Sequence, residues 1–582
     1  MRDTTAVAAT GLLAEFIDGR IIGWADFHTA ERLALAVGES GNSLAKLALA
    51  LCMRSLRDGS TCLPLSTAHD VPPEGTEDDE PPPPVTWPDL DDWRAALSSS
   101  RLVVVGPDEP GRAPLRLVGD LVYLERYWQA ERSVSATLHG RLAAPQPAWH
   151  AVPLAPDLNP GQRRAVVAAA THTTSVIVGG PGTGKTHTVA ALLAALLRQP
   201  VPPSRIALAA PTGKAAARME ESIAGPLAAL GLSAPPSSTL HRLLGLTVSR
   251  PFAPTYHAGN LLPHDLVIVD ETSMLSLLLM QQLLEALRPD ARLVLIGDRD
   301  QLASVDAGAV LSDLVSSPGL IDTDTALVEL THNYRFGADT AIGRAAEAIR
   351  TGDADACLAA LAMDPARAAL IESDAAGGLA DLPGLADALL ASAYPMRTAA
   401  LAGDGAAACA ALDIHRLLCA HHGGPWGEVR WNRLVHALLA TRFHDFAPPD
   451  AWYPGQPILI TRNSQALGPG QQVFNGDTGV VIDTPGGLRA AIARGAGPMV
   501  VAPQLLDSVT TLHAMTVHKS QGSQFAEVSV ILPPVGSPLL TRELLYTALT
   551  RAQRRVVIYG SRDAVAEAVR TPARRASGLG LH

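Results

Sequence analysis

Val176-Ile-Val-Gly-Gly-Pro-Gly-Thr-Gly-Lys-Thr-His187 sets the reading of this chain of 582 residues. Val176 to Val178 read as a short buried strand and Gly179 to Gly184 as a glycine loop, and Lys185 opens a helix running through Leu197. The pattern G-x-x-x-x-G-K-T is complete from Gly179 to Thr186. Along Gly179, Gly180, Pro181, Gly182, Thr183 and Gly184, successive backbone N–H groups can converge on phosphate oxygens, because glycine has no Cβ to hold the backbone away. The helix that starts at Lys185, Thr186 and His187 adds the positive end of its dipole. The expected ligand of residues 179–187 is a nucleoside triphosphate.

From Ala165 to about Arg350, strand-like runs at 175–178, 206–210, 266–269, 293–296 and 326–330 alternate with helical segments. That alternation predicts a parallel sheet with helices on both faces, whose ligands gather at the carboxyl ends of the strands. Leu266-Val-Ile-Val-Asp-Glu-Thr-Ser-Met274 ends one strand in two acids. Beside a phosphate loop, Asp270 is expected to hold Mg²⁺ together with the Thr186 hydroxyl, and Glu271 to orient and deprotonate the attacking water. A helix N-terminus favours acids too, but the phosphate loop tips the reading toward chemistry. Leu293-Val-Leu-Ile-Gly-Asp-Arg-Asp-Gln-Leu-Ala-Ser-Val305 brings Asp298, Asp300 and Gln301 to the same edge. Gln301 is a candidate sensor, since a neutral amide that donates to a γ-phosphate loses that bond on hydrolysis. Arg335 and Arg551 are candidates to neutralise charge in phosphoryl transfer, and on sequence alone each is equally a surface ion-pair residue.

Before this sheet, residues 5–58 repeat apolar side chains at helical spacing: Leu12, Leu13, Phe16 and Ile17, then Leu33, Leu35 and Val37, then Leu44, Leu47, Leu49 and Leu51. They predict a small three-helix bundle suited to contact rather than chemistry. Residues 69–87 mix acids with proline and predict an exposed loop. Strands are expected at 102–105 and 115–124, then a helix at 125–143 and a proline-rich connector at 144–160. Residues 355–450 are rich in alanine and leucine and read as mostly helical, with one strand near 398–402. From 457 to about 501, short strands separated by Gly468-Pro-Gly, Asn475-Gly-Asp and Pro485-Gly-Gly suggest a small inserted barrel. Strands at 528–532 and 556–559 resume the α/β pattern as a second sheet domain.

Hydrophobic residues make up 47% and charged residues 18%, as in globular proteins. No apolar run has membrane character, and Met1-Arg-Asp-Thr-Thr-Ala-Val lacks a signal pattern, so a soluble intracellular protein without a membrane partner is expected. Five scattered cysteines imply neither a disulfide framework nor a zinc spacing. Cys419, His421 and His422 offer only three close ligands, and a turn after a helix is the preferred reading. A net charge of −11 argues against coating DNA with the whole surface but leaves local clefts open. Only four lysines occur, Lys46, Lys185, Lys214 and Lys519; where arginine serves every other cationic position, a retained lysine points to a need for its compact ammonium, at Lys185, Lys214 and Lys519 more than at Lys46, where chance placement is a fair reading.

An ordered series runs through residues 162–552: Gln162 in Leu158-Asn-Pro-Gly-Gln, the glycine loop, Ala210-Pro-Thr-Gly-Lys-Ala-Ala-Ala-Arg, Ser238-Thr-Leu-His-Arg-Leu-Leu-Gly, Val269-Asp-Glu-Thr-Ser-Met, Gly297-Asp-Arg-Asp-Gln-Leu, Asn333-Tyr-Arg-Phe, Thr516-Val-His-Lys-Ser-Gln-Gly and Tyr546-Thr-Ala-Leu-Thr-Arg-Ala. The series resembles the motifs of superfamily 1 helicases and is most similar to the RecD family, the alpha subunits of the bacterial RecBCD (exonuclease V) complex. Leu417-Leu-Cys-Ala-His-His-Gly-Gly-Pro-Trp-Gly, Arg462-Asn-Ser-Gln-Ala-Leu, Phe474-Asn-Gly-Asp-Thr-Gly, Cys62-Leu-Pro-Leu and the helical N-terminus add to that similarity.

The resemblance implies an ATP- and Mg²⁺-dependent motor that moves 5′→3′ on single-stranded DNA. It implies two RecA-like parallel-sheet P-loop domains, a small helical N-terminal domain and an SH3-like β insertion in the second RecA-like domain. The expected limits are 1–115 for the partner-docking domain, 116–355 and 356–582 for the RecA-like domains, and about 472–512 for the insertion. Carried over by position, Gln162 would read adenine, Lys185 the β- and γ-phosphates, and Gln301, Arg335 and Arg551 the γ-phosphate. Pro211, Thr212, Lys214, Thr239, His241, His518 and Gln521 would line the DNA groove or couple it to the nucleotide, with Lys519 a further phosphate contact. Also implied are RecB-like and RecC-like partners, DNA ends as substrate, a role in double-strand break repair, and a bacterial cytoplasmic location at the nucleoid. No acid-acid-lysine set for a nuclease is legible here, and in the family cleavage belongs to the RecB partner. The alternatives are a stand-alone superfamily 1 helicase, disfavoured by an N-terminal region without a helix-hairpin-helix array, and a nucleotide-gated interaction module, disfavoured by the intact Glu271, Gln301, Arg335 and Arg551.

Overall fold

The apolar repeat of residues 12–57 forms three helices, α1 (Leu12–Asp18), α2 (Trp24–Ala36) and α3 (Ser43–Arg57). In the computed structural model the described residues are 9–74, 82–200, 202–247, 250, 253–317, 319–337, 339–443, 446, 448, 451–463, 472–494 and 497–581. Asn42 caps α3 by accepting the Ala45 N–H, and every residue from Ala45 to Cys52 is buried, so α3 is the central helix. That burial also explains Lys46, whose ammonium is neutralised by Glu31 at 2.6 Å and accepted by Ser40 O at 2.9 Å.

Around α3 lie β1 (Cys62–Pro64), α4 (Leu90–Ser98), β2 (Val103–Val105), β3 (Leu115–Val118) and β4 (Leu121–Leu124), and the strands form one sheet in the order β1-β4-β3-β2. The strand expected at 115–124 is therefore a hairpin; Gly119, at φ +60°, supplies the turn conformation that an L side chain disfavours. Because β3 and β4 complete this sheet, the N-terminal unit extends past residue 115 to Leu124. Part of the acidic 69–87 segment, residues 75–81, lies outside the described residues.

Helix α5 (Glu125–Ala143) leads to α6 (Pro160–Thr171), β5 (Thr174–Gly179), α7 (Lys185–Leu196), β6 (Ile206–Ala210), α8 (Gly213–Ala228), β7 (Ser237–Thr239), α9 (Leu240–Leu243), β8 (Leu266–Val269), α10 (Leu277–Ala286), β9 (Arg292–Gly297), α11 (Val310–Ser316) and β10 (Leu327–Leu330). The six strands are all parallel in the order β10-β5-β9-β8-β6-β7. Five of them fall where the apolar runs predict; β7, Ser-Ser-Thr, is a polar edge strand without such a signal. Side chains alternate between the two covered faces: Val176, Val178, Leu293 and Leu295 pack in one cluster, Ile177, Val294 and Ile296 in the other.

The second sheet domain comprises α12 (Ala341–Thr351), α13 (Ala354–Met363), β11 (Ala368–Ile371), α14 (Leu385–Leu401), α15 (Gly405–Ala411), β12 (His415–Cys419), α16 (Glu428–Arg442), five strands β13 (Pro457–Ile460), β14 (Thr478–Ile482), β15 (Arg489–Ile492), β16 (Met499–Val501) and β17 (Val509–Thr511), then β18 (Ala514–Thr516), β19 (Phe525–Ile531), α17 (Arg542–Thr550), β20 (Ala552–Tyr559) and α18 (Arg562–Arg570). Its sheet is parallel in the order β11-β20-β19-β12-β18.

Residues 398–402, expected as a strand, instead finish α14, where Met396 and Ala400 are buried one turn apart in an alanine-rich helix. Two strands inside the stretch read as helical, β11 and β12, are decided by tertiary context: β12 is buried throughout between β19 and β18.

The insertion is an antiparallel sheet, β16-β15-β14-β13-β17, and it begins at Pro457, ahead of the expected 472. Its turns at Gly476 and Gly487 both have φ +91°, while the expected Gly468-Pro-Gly turn and most of the Arg462–Leu467 run lie outside the described residues.

Past α18, residues 571–581 run back as a strap over the N-terminal unit and the first sheet domain. Thr61 N–H donates to Ala576 O at 2.8 Å, Ala576 N–H to Ser60 Oγ at 3.0 Å, and the Leu579 side chain is fully buried in the first sheet domain's core. Glu131 of α5, fully buried, accepts Thr61 Oγ1 at 2.5 Å, Ser577 Oγ at 3.1 Å and the Gly578 N–H at 3.2 Å.

Candidate functional site

Strand β5 delivers the glycine loop to the sheet edge, and the loop owes its shape to Gly182 (φ +83°) and Gly184 (φ +82°). At Gly182 a Cβ would also collide with Arg335 and Asn333, so absence of a side chain serves both conformation and close packing. Thr183 Oγ1 closes the loop onto Gly180 O at 2.8 Å. Lys185 Nζ donates to Gly179 O at 2.6 Å and Gly180 O at 3.2 Å, within the loop it would serve.

The loop lines a cavity of about 390 Å³ together with Thr186 and His187, Asp270 and Glu271 past β8, Gln301 past β9, Tyr334 and Arg335 past β10, and Gly522, Gln524 and Arg551 of the second sheet domain. The structure thus gathers Gly180, Pro181, Gly182, Gly184, Lys185, Thr186, His187, Asp270, Glu271, Gln301, Arg335 and Arg551 into one cleft between two sheets, while Gly179 and Thr183 of the loop face the neighbouring cavity. Gln162 stands slightly apart: it is 1% exposed, forms a capping box with Asn159, and its Nε2 reaches Thr183 O at 3.5 Å beneath the loop.

Glu271 occupies the left-handed region at φ +52°, ψ +40°, a conformation that costs a non-glycine residue about 1 kcal/mol or more. Its N–H donates to Asp270 Oδ1 at 2.8 Å. Burial, with the Glu271 charge adding to it, pushes the Asp270 carboxyl up to about 6. A cation at this place would reverse that cost. Asp298 is likewise raised by burial, and Gln301 Nε2 donates to its Oδ2 at 2.8 Å.

Positive charge enters from three arginines. Arg551, 3% exposed, donates from Nε to Thr547 O at 3.1 Å and from Nη1 to Ser523 O at 3.2 Å. Arg218 of α8 donates to Gly522 O at 3.2 Å. Burial, with Arg218 and Arg551 nearby, pushes the Arg335 guanidinium down to about 10. Arg335 Nη1 and Gln301 Oε1 are buried without a hydrogen-bond partner. A buried donor on a cation, facing a glycine cradle, matches a triphosphate; acidic Asp270 beside Thr186 matches a divalent ion.

At the next strand ends, Pro211 and Thr212 follow β6, and Thr212 caps α8 by accepting the Ala215 N–H at 3.2 Å. Lys214 in that first turn is partly buried, with Asp413 and Arg416 of the second domain near it, and burial pushes its ammonium down to about 8. Thr239, paired with Ala210 across β6 and β7, caps α9, which carries His241. Burial lowers both His241 and His518. A Cβ on Gly213 would press on Phe474, so the insertion packs against this edge. Lys519 forms an ion pair with Glu428, whose other oxygen accepts the Thr516 N–H at 2.9 Å. Gln521 Nε2 donates to Leu302 O at 2.6 Å across the domain boundary.

Sequence reasoning quoted Tyr334 and Arg218 within their motifs without giving either a role. Tyr334 is 56% exposed at the cavity mouth, its hydroxyl held by Asn159 Nδ2 at 2.9 Å and Gln162 Oε1 at 3.4 Å, a flat apolar face beside the loop. The signal was available: an aromatic next to Arg335 with no apolar periodicity to bury it. Elsewhere, Cys419 is buried in the core within β12, while His421 pairs with Ser537 at 3.0 Å and His422 with Glu428 at 2.6 Å, so the two histidines serve separate partners.

Two RecA-like domains that close a P-loop, an Asp-Glu strand end and a cross-domain arginine around one cleft define an ATP-dependent DNA helicase of superfamily 1. Comparison with known families agrees: residues 157–370 match the AAA domain, residues 511–559 the UvrD-like helicase C-terminal domain, and residues 19–123 the N-terminal domain of RecBCD enzyme subunit RecD. The chain is 45% identical to RecBCD enzyme subunit RecD of Mycobacterium tuberculosis over 99% of its own length and 97% of that protein's. It is 30% identical to the Haemophilus influenzae subunit over 96% and 97%, and 31% identical to the ATP-dependent RecD2 DNA helicase of Deinococcus radiodurans over 76% of this chain and 56% of that one. The chain belongs to the RecD family of RecBCD enzyme subunits.

Proposed function

We propose that this helicase moves 5′→3′ along single-stranded DNA as the alpha subunit of a heterotrimer with RecB-like and RecC-like chains. Its task is the processing of DNA ends in double-strand break repair, in the cytoplasm at the nucleoid, with nuclease activity supplied by the RecB-like partner. The family relationship over nearly the whole length supports the partners. The observation that carries the motor chemistry is Arg551, delivered by the second domain into the cavity lined by the P-loop.

In this reading Lys185 leaves the carbonyls of Gly179 and Gly180 for the β- and γ-phosphates, and the loop N–H groups hold the rest of the chain of phosphates. Tyr334 covers the adenine face, with Gln162 reading its edge. Thr186 and Asp270 would hold Mg²⁺, which neutralises phosphate charge when bound. Glu271 orients the attacking water and accepts its proton, and Arg335 and Arg551 receive the charge that builds on the γ-phosphoryl oxygens. Gln301 registers the loss of the γ-phosphate. His187, which pairs with exposed Asp157 at 3.1 Å, sits at the rim of the same loop. Pro211, Thr212, Lys214, Thr239, His241, His518, Lys519 and Gln521 form the DNA-facing edge, along which Lys519 exchanges Glu428 for a phosphate.

The test is ATP hydrolysis with and without single-stranded DNA. Lys185→Gln hydrolysing as fast as the unmodified chain would sink the assignment. Preference for a 3′-tailed over a 5′-tailed duplex would overturn the polarity, and a tagged chain that recovers no two large partners from its own cells would favour a stand-alone helicase.

A further inference from the structure

Helix α17 brings three residues to the first sheet domain, and they do different things. Tyr546 points its hydroxyl toward Gly180, where a Cβ would meet it at 2.9 Å. Arg551, just beyond the helix, enters the cavity. Between them Thr547, fully buried, bonds in two directions: its Oγ1 accepts the backbone N–H of Leu302 at 2.9 Å, and its backbone carbonyl accepts Arg551 Nε at 3.1 Å. Leu302 directly follows Gln301.

The neighbouring Thr550 shows what a threonine in a helix ordinarily does, donating its hydroxyl back to Tyr546 O one turn earlier at 2.8 Å. Thr547 Oγ1 serves as an acceptor for the other domain. A buried backbone N–H needs an acceptor, and Leu302 N–H finds its own in this side chain. Two further groups hold the same loop: Gln521 Nε2 of the second domain at Leu302 O, 2.6 Å, and Arg575 Nη1 of the strap at Ser304 O, 2.6 Å. Of these three anchors, Thr547 alone also holds Arg551 among the described residues.

We propose that Thr547 is the positioning residue that ties Gln301 and Arg551 into one moving unit, an inference that rests on the cavity being an ATP-hydrolysing site. Gln301 is 5% exposed, with its amide on Asp298 and its carbonyl oxygen unpartnered, so its side chain follows the backbone of residues 298–302. That backbone cannot retreat from α17 without stranding the Leu302 N–H. Glutamine and arginine therefore reach or leave the γ-phosphate together. Without the hydroxyl, Arg551 can close while Gln301 lags, and a misplacement of about 1 Å at a reacting centre can cost about a hundredfold in rate.

The experiment compares Thr547→Val, which keeps the shape and removes the acceptor, with Thr547→Ser, which restores it, in the full chain. The expected result is a fall of at least about tenfold in DNA-stimulated kcat for Thr547→Val, with KM for ATP and the Kd of a fluorescent ADP within about twofold, and recovery to within about threefold in Thr547→Ser. Amide hydrogen exchange provides a readout that needs no turnover: the segment 298–304 exchanges faster in Thr547→Val and at the unmodified rate in Thr547→Ser. A Thr547→Val chain with unchanged kcat, a Thr547→Ser chain as impaired as Thr547→Val, or unchanged exchange would each overturn the proposal. An unmodified chain without DNA-stimulated hydrolysis would instead sink the ATPase reading, and the exchange measurement would still decide whether Thr547 holds the loop.

Discussion

Leu302 and Thr547 lie 245 positions apart in sequence, and the Leu302 N–H meets the Thr547 hydroxyl at 2.9 Å in a fully buried contact. The bond places the loop past β9 and the helix before Arg551 on opposite walls of one cleft. The chemistry of that cleft makes the first prediction: Arg551→Lys lowers kcat by about 10³ while KM for ATP changes only a few-fold. Lysine keeps the charge but has neither the planar fork nor the reach to hold Thr547 O and Ser523 O while facing a phosphoryl group. Steady-state hydrolysis alongside nucleotide binding checks it, and weaker nucleotide binding with kcat unchanged would place Arg551 in ground-state binding instead.

Strain at Glu271 sets activity against stability. Its φ of +52° is one glycine adopts freely, so Glu271→Gly should abolish hydrolysis and yet stabilise the first sheet domain by about 1 kcal/mol, less the backbone entropy glycine loses. A thermal melt of unmodified and variant chains reads the sign; a lower melting temperature for Glu271→Gly would show that the side chain's contacts outweigh the strain.

Lys214 predicts a pH dependence of DNA binding. Burial holds its ammonium down at about 8, so above that pH the free protein carries it neutral, and binding a phosphate must first take up a proton. Affinity for a single-stranded oligonucleotide at fixed salt should fall between pH 8 and 9.5 by up to about tenfold per unit for this contact, and Lys214→Arg should flatten the fall. Stability moves the other way: the folded pKa lies below the roughly 10.4 of a free lysine, so the cost of the buried charge is relieved as pH rises from about 8. An unmodified chain whose affinity is level from pH 7 to 9.5 would remove Lys214 from the DNA path.

Glu131 is the anchor of the strap. Glu131→Ala removes the acceptor shared by the Ser577 hydroxyl and the Gly578 N–H, and one of the two acceptors of the Thr61 hydroxyl, which keeps Ala576 O at 3.2 Å, a loss of about 2–4 kcal/mol. The strap carries exposed Arg574, paired with Asp70 at 2.6 Å, and Arg575, so its release should appear as faster tryptic cleavage at these two sites. Equal cleavage rates in the two chains would show that buried Leu579 and the bonds of Ala576 to Ser60 and Thr61 hold the strap without Glu131.

Most of the first sheet domain was legible because its strands are covered on both faces and read as unbroken apolar runs at 206–210 and 266–269. The polar β7 had no such run, and β11 and β12 looked helical because alanine and leucine suit either state until neighbouring strands claim their hydrogen bonds. The same limit applies to Lys519, expected from the sequence as a phosphate contact, whose ion pair with Glu428 joins positions far apart in the chain.

By itself the sequence determined the phosphate loop, the Asp270-Glu271 pair and the order of the motifs, because each is a run of neighbours whose local backbone and residue chemistry need no distant partner. Only the tertiary structure decided that Arg551 and Gly182 border one cavity, that Thr547 holds the residue after Gln301, and that the strap rests on Glu131. Those pairings depend on how two separately closed sheets pack against each other, and a contact between surfaces has no period in either strand or helix for a sequence to display.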